Sequence, residues 1–134
     1  MLNSYAKYPT LVCPACDRSF SPEIWVIVDL TEHPELVDRI CDDTLHDVRC
    51  PACNYVGTLD VPLLLYHPSI DPPLLFSPSR RGSEEQDREH AAGLVNRLRE
   101  SLGYLWSEEW LSNGLQSVPR HELPVMLGKG NPEV

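Results

Sequence analysis

Four of the chain's five cysteines stand in two identical quartets, Cys13-Pro14-Ala15-Cys16 and Cys50-Pro51-Ala52-Cys53. Two thiols at this spacing suit two chemistries. One is thiol–disulfide exchange, in which the first cysteine caps a helix whose dipole lowers its pKa. The other is metal coordination, in which each quartet forms a tight turn whose backbone N–H groups bond the sulfurs, and two turns complete a tetrahedral site. The flanking residues separate them. "DRSFSP" follows the first quartet, where Pro22 interrupts any helix, and strand-like "NYVGTL" follows the second. Neither places its motif at a helix start, so Cys13, Cys16, Cys50 and Cys53 read as ligands of one Zn²⁺. A thiol-redox protein is the rival.

The thirty-three residues between the pairs exceed the roughly fifteen to twenty of common zinc ribbons. The insertion must therefore contain elements that return the second pair to the first. A turn of this kind needs positive φ just after its second cysteine. Asp17 and Asn54 occupy those positions and are among the non-glycine residues that best tolerate it. Phe20 and Tyr55-Val56 are expected to roof the site. Four sulfurs leave no open position on a tetrahedral ion, which argues against hydrolysis and for a structural role. The competing ligand sets put His46 or His67 in place of one cysteine. Cys41 reads as a small core residue.

The elements that must position these thiols are short. "EIWVIVDL" (23–30) is consecutively apolar, as in a strand buried on both faces. "HPELVDRIC" places Leu36, Val37, Ile40 and Cys41 on one face of a two-turn helix, with Pro34 at its first position. "TLHDVRC" leads into the second quartet as a strand. "VPLLLYHP" and "PPLLFSP" read as paired strands started by Pro62 and Pro72 and separated by the turn "SIDP". Ser83 and Gln86 form a capping-box pattern. Ala91, Val95, Leu98, Leu102 and Leu105 then mark an amphipathic helix over 84–112, stopped by Asn113-Gly114; Gly93 and Gly103 are its weak points. "HELPVMLGKG" adds a final turn before a loose end.

Trp106 and Trp110, four apart, would share a helical face, either covering the protein's own strands or anchoring a partner. The spacing of the 84–112 helix also suits self-association. His67 beside Tyr66 reads as a hydrogen-bonded edge histidine, since no nucleophile or carboxylate stands at a motif spacing from it. Arg18, Arg49, Arg80 and Arg81 are the candidates for nucleic-acid contact. Acidic residues surround each of them, and the whole chain carries a net charge of −9. Residues 1–82 hold six basic and eleven acidic residues (−5), and 83–134 hold five and nine (−4), so neither half is basic. Thirteen prolines chop the middle into short pieces. A chain of this kind buries a limited core and needs a stabilising device. No signal peptide pattern is evident, and the longest apolar runs are too short for a bilayer; a cytoplasmic protein without membrane contact is expected.

With its quartets, "WVIVDL", "HPELVDRI", "VPLLLYHP" and "PPLLFSP", the chain resembles the CpXC family over roughly residues 10–80. The resemblance implies the four cysteines as the paired motif; the family's domain carries no known activity. Departures are Asp17 and Asn54 where glycine is frequent, and Pro68 in place of an aspartate. The expected architecture is α+β: a zinc-ribbon-like core with a small antiparallel sheet over 1–82, a long helix over 83–114 packed on that core or docking elsewhere, and a tail over 115–134. The expected function is a non-enzymatic, zinc-stabilised protein-interaction module. A transcription-type zinc ribbon binding nucleic acid is the alternative.

Overall fold

A computed structural model of the chain describes residues 3–68, 73–112 and 115–127. Its centre is a four-stranded sheet of β1 (Tyr5–Lys7), β4 (Ile24–Asp29), β7 (Leu63–Tyr66) and β8 (Leu74–Ser77), in the order β1-β4-β7-β8. Two hairpins are inserted between these strands. β2 (Leu11–Val12) and β3 (Ser19–Phe20) lie between β1 and β4; β5 (Asp47–Arg49) and β6 (Val56–Thr58) lie between β4 and β7. Each hairpin carries one cysteine quartet at its turn.

The fold is α+β, but the sheet is not wholly antiparallel: β4 runs parallel to β7, with Ile27 opposite Leu64 and Val28 opposite Leu65. A parallel pair cannot be closed by a tight turn and needs a long crossover. Here the crossover holds α1 (Leu36–Cys41) and the second hairpin. It accounts for much of the unusual distance between the quartets.

The apolar runs follow from burial on both faces of the sheet. In β7, Leu64 and Tyr66 join a cluster with Leu94, Val95, Leu98 and Leu102 of α2 (Glu84–Leu102), whereas Leu63 and Leu65 join one with Leu36 and Ile40 of α1. α3 (Leu123–Met126) adds Leu123, fully buried, to the second cluster.

Helix α2 begins with the expected capping box: Gln86 N–H donates to Ser83 Oγ at 3.2 Å, and Ser83 N–H donates to Gln86 Oε1 at 3.0 Å. It ends at Leu102, not at 112. Gly103 takes φ +56° and starts a 3-10 turn to Leu105, followed by another at Glu108–Leu111. The periodicity at Leu105 does not place that side chain in the core; it is exposed. Trp106 and Trp110 consequently lie on the irregular turns and not on one helical face. Their rings meet edge to face at 5.1 Å, and Trp110 packs on Tyr66 at 5.6 Å. Both are half-buried against the α2 cluster. Asn113-Gly114, Pro72 and the rest of the "SIDP" turn lie outside the described residues.

Within residues 115–127 the expected final turn forms at Leu123–Met126, and the loose end expected after it lies outside the described residues. Phe76 N–H donates to Gln116 O at 2.9 Å, Val118 N–H donates to Phe76 O at 2.8 Å, and Ser117 bridges Phe76 in parallel. The outer edge of β8 is thereby covered, and Val118 and Leu123 complete the second core.

Candidate metal centre

The two quartets fold alike. Cys13 N–H donates to Arg18 O (2.9 Å) and Asp17 N–H to Cys13 O (2.8 Å). Thirty-seven residues on, Cys50 N–H donates to Tyr55 O (2.8 Å) and Asn54 N–H to Cys50 O (2.9 Å). In each knuckle the residue after the second cysteine is left-handed, Asp17 at φ 60° and Asn54 at φ 64°. A short polar side chain tolerates that region better than most, so the sequence meets the turn's demand without glycine. The N–H groups that this turn gathers point at sulfur: Ala15 N–H lies 3.4 Å from Cys13 Sγ.

The hairpins bring all four sulfurs within 4.8 Å of one another. Cys13 Sγ is 3.6 Å from Cys53 Sγ, and Cys16 Sγ is 3.7 Å from Cys50 Sγ. A disulfide requires about 2 Å. By contrast, ligands at about 2.3 Å from a tetrahedral ion lie roughly 3.8 Å apart along each edge. The donor set therefore fits a metal ion bound by four thiolates, and each close contact joins one knuckle to the other. Cys13 and Cys50 are buried, Cys16 is half-buried and Cys53 is exposed.

The thiols do not ionise alike. Burial opposes ionisation at Cys50, but N–H groups of Ala52 and Cys53 and the thiols of Cys16 and Cys53 outweigh it and bring its pKa down to about 7. At Cys53 the Tyr55 N–H favours the thiolate, yet burial and the other three sulfurs push it up to about 12. Cys16 is also raised: its bond from Arg18 N–H acts downward, while burial and the Cys50 and Cys13 thiols prevail. Crowded sulfurs resist carrying several negative charges together. A divalent cation removes that conflict by taking the place of the protons.

The other sequence candidates lie elsewhere. Cys41 is half-buried on α1 and outside the sulfur cluster. Tyr66 is buried in the sheet, and His67 N–H donates to Pro73 O at 2.8 Å. His46 is no ligand, because both ring nitrogens are engaged: Nε2 lies 2.7 Å from Trp25 O, and Nδ1 3.1 Å from Arg120 Nη1. A carbonyl only accepts and a guanidinium only donates, so Nε2 carries the proton and the ring is neutral. The expected roof is not formed. Phe20 packs toward the main core, while Tyr55 and Val56 are exposed.

The buried group that sequence reasoning missed is Arg120. It donates to Ser77 Oγ (3.1 Å), His46 Nδ1 and Val61 O (2.7 Å), tying the C-terminal segment to β8 and to the base of the second hairpin. Burial lowers the Arg120 pKa. His46 between Leu45 and Val48 gave a faint signal of burial, but nothing local marks an arginine whose partner lies 74 residues away.

Two of the cations considered for nucleic acid, Arg80 and Arg81, are held beside one carboxylate. Arg80 pairs with Asp43, and the backbone N–H groups of Arg80 and Arg81 donate to the Asp60 carboxylate. No helix among the described residues is long and apolar enough to cross a membrane. In comparisons with known proteins, the profile of the family described as "CpXC protein" matches residues 11–111. Comparisons with curated proteins and with solved structures each return no match.

Proposed function

The chain belongs to the CpXC family, and from that premise we propose that it is a non-enzymatic protein-interaction module whose fold is fastened by one structural Zn²⁺. The observation that carries this reading is the cluster of four cysteine sulfurs within 4.8 Å. Cys13 and Cys16 would hold the ion from the first hairpin, and Cys50 and Cys53 from the second. When bound, such an ion supplies coordination energy to a small fold and, with four protein ligands, keeps no position for substrate. Tetrahedral sulfur sites also accept iron, so the choice of zinc is part of the proposal.

A role in binding other proteins is supported by what surrounds the site. The hairpins are inserted in the connections of a sheet that is covered on both faces, so metal binding secures a scaffold. The half-buried pair Trp106 and Trp110 adjoins Tyr104 and Leu105, which are 95% and 58% exposed, and this corner is a candidate partner contact. The same exposed corner is where self-association would occur. The chain's net charge of −9 supports a protein partner over nucleic acid.

The test is elemental analysis joined to a thiol assay on freshly purified cytoplasmic protein. One zinc per chain and thiols inert until a chelator is added support the reading. Turnover in a disulfide-reduction assay, with no bound metal, contradicts it.

A further inference from the structure

The two edges of the central sheet are treated differently. Residues 116–118 cover β8, whereas among the described residues no backbone group pairs with the outer edge of β1. Strand β1 is nonetheless firmly held. The N–H groups of Asn3 and Ser4 donate to Glu32 at 2.7 and 2.9 Å, and Asp29 N–H donates to Ser4 Oγ at 2.8 Å. A fixed, uncovered edge strand is a template for another chain.

Beside this edge, on the α2 side of the sheet, runs an open groove of about 560 Å³. Ile24, Val26, Leu59 and Val61 contribute apolar lining, and Leu94 does so from α2. Tyr5 and Lys7, two residues apart on β1, both line it, as strand alternation requires. The helix wall includes Gly93. Glycine inside a helix is unfavourable and is usually explained by a positive φ or by close packing. Neither applies: Gly93 is not left-handed, and a Cβ there would meet no atom within 4 Å. The bare backbone leaves room for something else to approach the helix.

Charge narrows what that is. Lys7 and Arg97 line the groove against one carboxylate, Glu89, in a chain whose net charge is −9. Lys7 and Arg97 make no ion pair with any described residue; the Arg97 guanidinium instead lies 3.5 Å from the centre of the Tyr5 ring. This cation excess matches an acidic ligand.

We propose that the groove is the partner site of the interaction module. An extended segment of another protein adds as a strand to β1. Its apolar side chains enter the groove past Gly93, and an acidic side chain meets Lys7 and Arg97. The assignment rests on the interaction-module reading and locates the contact away from the Trp106–Trp110 corner.

The test uses the full metal-loaded chain, its metal content verified, against a phage-displayed library of random eight-residue peptides. Enrichment of apolar peptides with acidic residues is expected. Their binding should weaken at least about tenfold in Gly93→Leu and in Lys7→Glu/Arg97→Glu, with amide shifts at Tyr5–Lys7 in the unsubstituted protein. Gly93→Ala, the gentler change, should weaken binding while leaving the melting curve intact or raised, which separates occlusion from misfolding. The proposal is overturned by no enrichment, by peptides that bind all three variants equally, or by enrichment of basic peptides. It is equally overturned if decanoate fills the groove while peptides do not bind, or if a second copy of the chain does so as a dimer that Gly93→Leu dissolves. Any of these results with one ion per chain still bound removes the groove and leaves the metal site standing.

Discussion

Asp17 and Asn54 show how closely the knuckles are specified at the level of single residues. Both hold positive φ at the same place in the same turn. Replacing either by glycine should be neutral or slightly stabilising, whereas alanine should cost about 1 kcal/mol or more, measured by urea denaturation of the metal-bound protein. Cys50→Ser should lose the metal and unfold the domain, because one weak ligand loosens both knuckles; a retained ion and an unchanged melt would refute the four-thiolate site. Cys41→Ala should keep the metal and cost on the order of 1 kcal/mol.

His46 gives a pH prediction whose sign is fixed. Burial, opposed by the Trp25 carbonyl and reinforced by Arg120, lowers its pKa to about 4. The unfolded chain, with an ordinary histidine near 6.5, therefore binds a proton that the native state refuses between these values. Stability from this group is full above about pH 6.5 and is lost as pH falls toward 4, by roughly 1 kcal/mol between about pH 7 and pH 5.5. His46→Gln should be less stable at pH 7 but should lose this part of the slope, seen by comparing denaturation of the two proteins at both pH values. The cysteines were legible from sequence because their signal is local and repeated. The His46–Arg120 pair was not, because its partners meet only after the whole sheet has formed.

The secondary-structure elements carry a second contrast, between two glycines of one helical stretch. Gly93 lies in the regular part of α2 with open space at its Cβ, so Gly93→Ala should stabilise the fold by up to about 1 kcal/mol. Gly103 lies at φ +56°, where alanine is strained, so Gly103→Ala should destabilise it. Thermal melts of the two variants should shift in opposite directions. The same contrast explains the overextended helix. Apolar spacing continues through Leu105, but a left-handed Gly103 turns the chain first, and spacing alone does not report φ. The parallel pairing of β4 and β7 was hidden for another reason. A strand buried on both faces reads as an apolar run whichever way its neighbour points, and Ile24–Asp29 and Leu63–Tyr66 are both of that kind. The capping box at Ser83 was readable because it is complete within four residues.

Across the whole molecule, two distant segments close the structure. The sulfur cluster joins the hairpins inserted before and after β4, and Arg120 joins the C-terminal segment to β8 and to the second hairpin. The α+β class, the hairpins and their quartets were visible in the sequence. The role of residues 115–127 was not, since Pro119 and Pro124 interrupt their apolar residues and their anchor is a charge whose partners are distant in sequence. Arg120→Leu would leave His46 Nδ1, Ser77 Oγ and the Val61 carbonyl without this partner. A loss of about 3 kcal/mol is expected in chemical denaturation, with the metal retained, because the sulfur ligands do not depend on that contact.

The central claim is that one ion is held by four thiolates drawn from both hairpins. Its most direct test is to replace the native metal with cobalt(II) and record the absorption spectrum during titration of the reduced chain. The expected result is saturation at one equivalent, with intense thiolate charge-transfer bands and the visible pattern of tetrahedral sulfur coordination, both lost in Cys50→Ser. Saturation without those features, no binding, or an unchanged spectrum in Cys50→Ser would contradict it.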